Sequence, residues 1–187
     1  MAARAWQTRG TSSRFYPGTR HDGGVDPEIR PVRPPEFDRV GDLVVDAYAA
    51  MFDLGDYEEE LRRVAHRSRW AEVIVAVVDG VVAGTVTYVP GLGPYAEGED
   101  PDAAWIRMLA VDPAFRGQGI GTALVEWSVR RARATRRPRL ILHTTDPMTV
   151  AQRIYTRMGF SRAAELDWQP DDDLWLRGYQ MELGGST

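Results

Sequence analysis

The chain has 187 residues, 43% of them hydrophobic and 27% charged, with a formal net charge of −4, the size and balance of one ordinary globular domain. It has no cysteine, which excludes disulfides, thiolate metal sites and a Cys nucleophile, and its three scattered histidines (His21, His66, His143) speak against a structural zinc site. All 23 basic residues are Arg, which removes chemistry built on a side-chain amine; the acidic balance argues against nucleic-acid binding, and the breaking of every apolar run by Arg or Asp argues against a membrane span.

Residues 1–28 carry Arg, Gly, Ser and Thr without a period of 2 or 3.6. They read as a flexible leader without the apolar core of a signal peptide, and 29–187 reads as one domain. From Glu28, EIRPVR predicts a short edge strand, where Pro31 is tolerated. Behind Pro35, the residues Phe37, Val40, Val44, Ala47 and Tyr48 form one apolar stripe of a helix. A second helix is expected over 57–67. VIVAVVDGVVAGTVTYV predicts two β-branched strands joined by a tight turn at Asp79-Gly80. Residues 90–102 are a loop by their Pro, Gly and acid content.

A strand over 104–111 runs into DPAFRGQGIG and a long helix. Ile120, Leu124, Trp127 and Ala132 share one face of that helix, and its Arg-rich end is stopped by Pro138. The strand LILHTT follows, then a helix expected to open with Asp146 as N-cap and Pro147 at its first position. Ala151, Ile154, Tyr155 and Met158 line its apolar side, and Gly159 caps its end. Two last strands, about 160–166 and 175–183, flank a loop WQPDDD. The order β-α-α-β-β-β-α-β-α-β-β, without internal repeat, describes a mixed α/β domain with a right-handed parallel crossover at its centre.

Chemistry concentrates in 107–122, RMLAVDPAFRGQGIGT. Gly117, Gly119 and Gly121 remove Cβ atoms where a strand turns into a helix, so backbone N–H groups can approach a ligand closely. A helix N-terminus presents unpaired N–H groups and partial positive charge, and Arg116 adds a forked donor set, so the expected guest is a phosphate or pyrophosphate. A Walker phosphate loop fails, because Thr122 follows Gly121 and the chain has no Lys. A dinucleotide fingerprint fails as well: Thr122 stands where its third Gly or Ala belongs, and Arg139-Leu140-Ile141 offers no acid near 140.

Arg116-Gly117-Gln118-Gly119-Ile120-Gly121 has the form R-x-x-G-x-G, and Ala151 to Phe160 has the form A-x-x-x-Y-x-x-x-G-F. With both motifs the chain resembles the GNAT superfamily of acyl-coenzyme A-dependent N-acetyltransferases, bacterial type, over about 28–183 and most sharply over 104–160. The resemblance implies a mostly antiparallel central sheet with helices on both faces and a V-shaped opening between two parallel central strands. It implies acetyl-coenzyme A as co-substrate and no metal. Backbone amides of Arg116, Gly117, Gln118, Gly119, Ile120, Gly121 and Thr122 would cradle the pyrophosphate. The pantetheine arm would pair like a strand with Leu109, Ala110 and Val111, and Ala151 and Tyr155 would complete the cofactor site.

Two catalytic roles come with the resemblance: Tyr155 as proton donor to the departing thiolate, and the Leu109 N–H as oxyanion donor. A second reading makes Tyr155 a core aromatic. Relatives carry a Glu early in the strand that here holds Trp105 and Arg107, so no general base is identified. Glu97, Glu99, Asp100 and Asp102 read as solvated loop charges, and His143 as a packed or hydrogen-bonded strand residue, with a role as base its second reading. Met148 stands where many relatives have an Asn. Tyr48, Phe52, Asp53, Tyr57, Trp168 and Asp171 to Asp173 lie in the segments that set acceptor choice, and aromatics plus acids would suit a cationic amine. The expectation is a cytoplasmic enzyme, compatible with a homodimer, that acetylates a primary amine of a small molecule or peptide by direct attack in a ternary complex. It has no nucleic-acid or membrane partner. The alternative is a domain that binds acyl-coenzyme A without catalysis.

Overall fold

The structure, a computed structural model, describes residues 25–171 and 174–184. The leader expected over 1–28 lies outside the described residues up to residue 24. In chain order the elements are β1 (Glu28–Pro31), α1 (Phe37–Ala49), α2 (Tyr57–Arg62), α3 (Val64–Arg67), β2 (Glu72–Val78), β3 (Val81–Val89), β4 (Ala103–Val111), α4 (Ile120–Ala134), β5 (Arg139–Thr144), α5 (Thr149–Arg157), β6 (Ser161–Arg162), β7 (Trp168–Asp171) and β8 (Leu174–Glu182). The sheet runs β1-β2-β3-β4-β5-β8-β6, with β7 pairing β8 alone. The β4–β5 pair is parallel, and the others are antiparallel.

Both faces of this sheet are covered. Val73, Val75 and Val77 of β2 pack with Val40, Val44 and Leu61 from the helices on one face. Ile74, Ala76 and Val78 pack with Ile120, Leu124 and Val125 of α4 on the other. Burial on both sides explains why VIVAVV is apolar without alternation. Asp79 (φ 50°) and Gly80 (φ 79°) are both left-handed, as the tight turn between β2 and β3 requires. At Gly84 of β3 a Cβ would stand 2.8 Å from Ile120 Cγ2 and 3.0 Å from the Ala110 carbonyl oxygen, so this glycine lets α4 lie directly on the sheet.

β4 and β5 pair from Ala103↔Arg139 to Ile106↔Leu142 and then part, while β5 continues along β8 as far as Thr144↔Arg177. On its other edge β4 bulges. Thr87 pairs Arg107 and Thr85 pairs Ala110, so Met108 and Leu109 together oppose Val86. Met108 takes φ 52°, unusual for a residue with a side chain. The sheet therefore opens beyond Ile106 and Leu142, which is the V-shaped parting expected between the two parallel strands.

Four local expectations are corrected. The helix expected over 57–67 is broken at Arg63 (φ −74°, ψ 47°) into α2 and α3. Asp146 does not cap α5: the N-cap is Met148, and the Asp146 carboxylate instead receives Nε and Nη2 of Arg177, each at 3.0 Å. The strand expected over 160–166 shortens to β6, and a single 3-10 turn, Ala164–Leu166, follows. That turn crosses β8 at Gly178, where a Cβ would fall 2.4 Å from Leu166 Cβ. WQPDDD is not simply a loop, since Trp168–Asp171 pairs with β8 as a hairpin arm. Among the described residues no helix is long and apolar enough to cross a membrane.

Candidate active site

The chain leaves β4 at Asp112, whose carboxylate accepts the Ala114 N–H at 2.8 Å and pairs with Arg39 of α1. These contacts, the Ala114 N–H first, hold the Asp112 carboxyl below its ordinary pKa. Gly117 (φ 76°) and Gly119 (φ 83°) then take left-handed conformations that favour glycine. A Cβ at either would meet nothing within 4 Å, so the demand there is conformational and the surface is open. Gly121 differs. Its Cβ would stand 3.3 Å from Ile154 Cδ1, so it serves the packing of α4 against α5.

Gly119 is the N-cap of α4, and no side chain caps the helix. The positive end of a fifteen-residue helix thus presents amides toward open space, with exposed Arg116 beside it. The open backbone at Gly117 and Gly119 fits a pyrophosphate such as that of acetyl-coenzyme A, which the amides of Gly117 to Thr122 would hold. The amide expected from Arg116 is corrected, because it already donates to the Pro113 carbonyl at 3.4 Å and leaves Arg116 only its guanidinium. Leu109 and Val111 pack toward α4, Ala110 toward α1, and half-buried Ala151 packs against the α4 side.

Tyr155 is 4% exposed and packs against Phe160 and Tyr179, with ring centroids 5.8 and 6.4 Å away. It is a core aromatic, and its cluster contains Ile106 and Leu142, the last pair before the strands part. Burial pushes its phenol above the ordinary pKa of 10, so the hydroxyl keeps its proton at neutral pH.

A cavity of about 300 Å³ opens against the strand ends, lined by Ile106, Arg107 and Met108 of β4, His143 and Thr144 of β5, and Thr145 and Met148 beyond them. Tyr48, Phe52, Asp53, Tyr57 and Trp168 complete much of its wall. Tyr155 is not part of that lining, but it packs in one cluster with Ile106, which is. Burial raises the phenol pKa of both Tyr48 and Tyr57. Asp53 is exposed. Of the acids expected near the acceptor, Asp172, Asp173 and the side chain of Asp171 lie outside the described residues.

Glu97 is the main correction. It is not a solvated charge: its side chain is 11% exposed, and it meets Arg107 Nε and His143 Nδ1, each at 2.8 Å. His143 Nε2 donates to the Leu166 carbonyl at 2.9 Å, and the Trp168 ring stands edge-on at 6.4 Å. His143 is thus a hydrogen-bonded strand residue that also lines the cavity. Arg107 further donates to the Tyr95 carbonyl and to the Tyr57 hydroxyl, both at 3.3 Å. Tyr95 anchors the loop that carries Glu97. Its hydroxyl donates to Glu60 at 2.7 Å and meets His66 Nδ1 at 2.9 Å, and burial with the Glu60 bond pushes its pKa up to about 12. Glu99 and Asp102 are exposed as expected, whereas Asp100 pairs with Arg139 at 2.7 Å. The signal that could have found Glu97 is Arg107 itself, a lone cation within the apolar strand AAWIRMLAV, which calls for a carboxylate partner.

Residues 37–160 match the model of the Acetyltransferase (GNAT) family. Among curated proteins, N-acetylaspartate synthetase of Danio rerio is 27% identical over 115 residues, which are 62% of this chain. The chain spans only 37% of that relative's length. Solved structures of like fold include a candidate acetyltransferase from Salmonella typhimurium with its cofactor acetyl-coenzyme A (TM-score 0.66, 18% identity, 87% of this chain and 97% of that one). A GNAT-family acetyltransferase from Staphylococcus aureus Mu50 gives a TM-score of 0.69 at 17% identity, over 85% of this chain and 100% of the other. The ribosomal-protein-alanine N-acetyltransferase of Brucella melitensis gives 0.65 at 21% identity, over 83% and 99%. At these identities the structures establish a shared fold. With the family model matched across both motifs and the parted strands, the chain belongs to the GNAT family of acetyltransferases, acyltransferases that depend on acetyl-coenzyme A.

Proposed function

We propose that the protein transfers an acetyl group from acetyl-coenzyme A to a primary amine of a small molecule or peptide, by direct attack with both substrates bound. One observation carries this reading. The opening beyond Ile106 and Leu142 has a bare helix N-terminus on one side and an aromatic cavity holding a buried carboxylate on the other. A phosphorylated carrier and an amine can therefore reach one point from opposite directions.

The residues divide the work accordingly. Amides of Gly117 to Thr122 bind the pyrophosphate with the Arg116 guanidinium beside them, and the edge Leu109 to Val111, which β5 no longer pairs, accepts the pantetheine arm. The bulge at Met108 and Leu109 removes a residue from the β3 ladder, leaving the Leu109 N–H as donor to the thioester oxygen. Tyr155, held protonated by burial, returns a proton to the departing sulfur. An aliphatic amine is almost wholly protonated at neutral pH, so attack needs a proton acceptor. Both oxygens of Glu97 are engaged, by Arg107 and by His143, so the base is not assigned to it.

The Danio rerio relative carries acetylation of an amine in its name, which agrees with this reading. The second reading is a non-catalytic acyl-coenzyme A sensor, which the absence of a Glu from β4 favours. Cytoplasmic residence and self-association belong to the same proposal, and cell fractionation and sedimentation test them. The decisive experiment incubates the protein with acetyl-coenzyme A and a panel of amines and follows free thiol release. Amine-dependent release is expected, and binding without release on every amine would favour the sensor.

A further inference from the structure

The cavity carries more positive charge than its acids suggest. His143 stands between two acceptors, the Leu166 carbonyl at Nε2 and Glu97 Oε2 at Nδ1. A carbonyl only accepts, so Nε2 bears hydrogen. Two bare acceptors do not approach to the observed 2.8 Å, so a further proton lies between Nδ1 and Glu97, on one or the other. Arg107, on the second oxygen of Glu97, is always charged. The three side chains together bear one net positive charge, whichever atom holds the shared proton. They are well enclosed, at 3%, 11% and 17% exposure for His143, Glu97 and Arg107. Among the described lining residues the other ionised side chain is Asp53, which is exposed.

Arg107 also keeps donors in reserve. Of its five N–H groups, one goes to Glu97, one to the Tyr95 carbonyl and one to the Tyr57 hydroxyl, which leaves two without a partner among the described residues, on a side chain that lines the cavity. A cationic, donor-rich wall inside an aromatic enclosure disfavours a second cation and favours a planar anion that can take two parallel N–H bonds. We propose that the acceptor amine bears a carboxylate, as a free amino acid or a related small amino-carboxylic acid does, and that Arg107 receives this carboxylate. The amine then faces the parting of β4 and β5. This replaces the cationic acceptor suggested by the aromatic and acidic composition of these segments, and it rests on the acetyltransferase reading above.

The test compares matched amines by thiol release: alanine against alaninamide, and aspartate against asparagine and ethylamine. The more carboxylate-rich member of each comparison is expected to show a kcat/KM higher by about tenfold or more, the range of a charge-assisted hydrogen bond. Intrinsic reactivity leans the other way for alanine, since the amine of alaninamide is less basic and more often neutral. In Arg107→Gln the preference falls toward unity. Because that change also frees Glu97, a second measurement uses the unaltered protein: succinate, a dicarboxylate without an amine, is expected to compete with the acceptor and not with acetyl-coenzyme A. Turnover indifferent to the carboxylate, or faster with the amide or with a polyamine, overturns this inference and leaves acetyl transfer standing. No thiol release on any amine while acetyl-coenzyme A binds overturns that reading and this inference together.

Discussion

The two sides of the sheet opening are built in opposite ways. The side proposed to bind the coenzyme is local: seven consecutive residues, Arg116 to Thr122, hold the left-handed glycines, the bare N-cap and the exposed cation. The cavity proposed for the acceptor draws Tyr48 from α1, Glu97 from a loop, Arg107 from β4, His143 from β5 and Trp168 from β7. A site made of backbone amides depends on φ angles that one short stretch can impose. A site made of paired charges depends on the whole topology bringing its partners together.

The sharpest way to break this contrast lies at Tyr155, which packs in one cluster with Ile106 of the cavity wall and Ile120 of the glycine loop. Tyr155→Phe keeps the ring packed against Phe160 and Tyr179 and removes the proposed proton donor. Turnover is expected to fall by about 10²–10⁴-fold with acetyl-coenzyme A binding nearly intact. An undiminished rate would leave Tyr155 as a core aromatic alone. Next comes Arg116→Ala, which should weaken acetyl-coenzyme A binding by about 10–100-fold in calorimetry. If the sides are independent, the KM of the acceptor stays unchanged.

The same contrast explains what could be read from residues alone. The glycine loop, the Asp79-Gly80 turn and the apolar faces of α1 and α4 announce themselves within a few residues, because each is a local backbone or periodicity requirement. The failures are non-local. Asp146 followed by Pro147 has the chemistry of a helix start, yet Arg177, thirty-one residues on, takes its carboxylate. WQPDDD has the composition of a loop, yet β8 offers it a free edge. Glu97 in a Gly- and acid-rich loop looks solvated until Arg107 and His143 close on it from two strands. In each case a partner distant in sequence overrode the local preference.

A packing test sharpens the comparison on the coenzyme side. Gly84→Ala places a methyl 2.8 Å from Ile120 Cγ2, 3.1 Å from Leu124 Cδ1 and 3.0 Å from the Ala110 carbonyl oxygen. The first turn of α4 must lift from the sheet, at a cost of about 1–3 kcal/mol. Thermal unfolding should reveal it as a Tm drop of roughly 2–4 °C for each kcal/mol. Since that turn carries the amide cradle, acetyl-coenzyme A binding should weaken as well. Lost stability with undiminished binding would separate the cradle from the seating of the helix.

The mildest expected effect belongs to Asp167, beside the carbonyl that orients His143. Its carboxylate accepts the Gly178 N–H at 2.9 Å and pairs with Arg162 and Arg177. Arg162 first, then the Gly178 amide and Arg177, hold its carboxyl down to about 2 from an ordinary 3.8. A lowered folded pKa means that the stabilisation is complete above the ordinary value and is lost as the pH falls through about 2. Asp167→Asn should therefore be less stable than the unaltered protein at neutral pH, and the two unfolding curves should converge between about pH 4 and pH 2. With the turn at Leu166 loosened, the KM for the acceptor should rise while acetyl-coenzyme A binding holds. Weakened coenzyme binding in this variant would mean that the sheet opening transmits strain from one side to the other, and that the two halves of the site are not independently built.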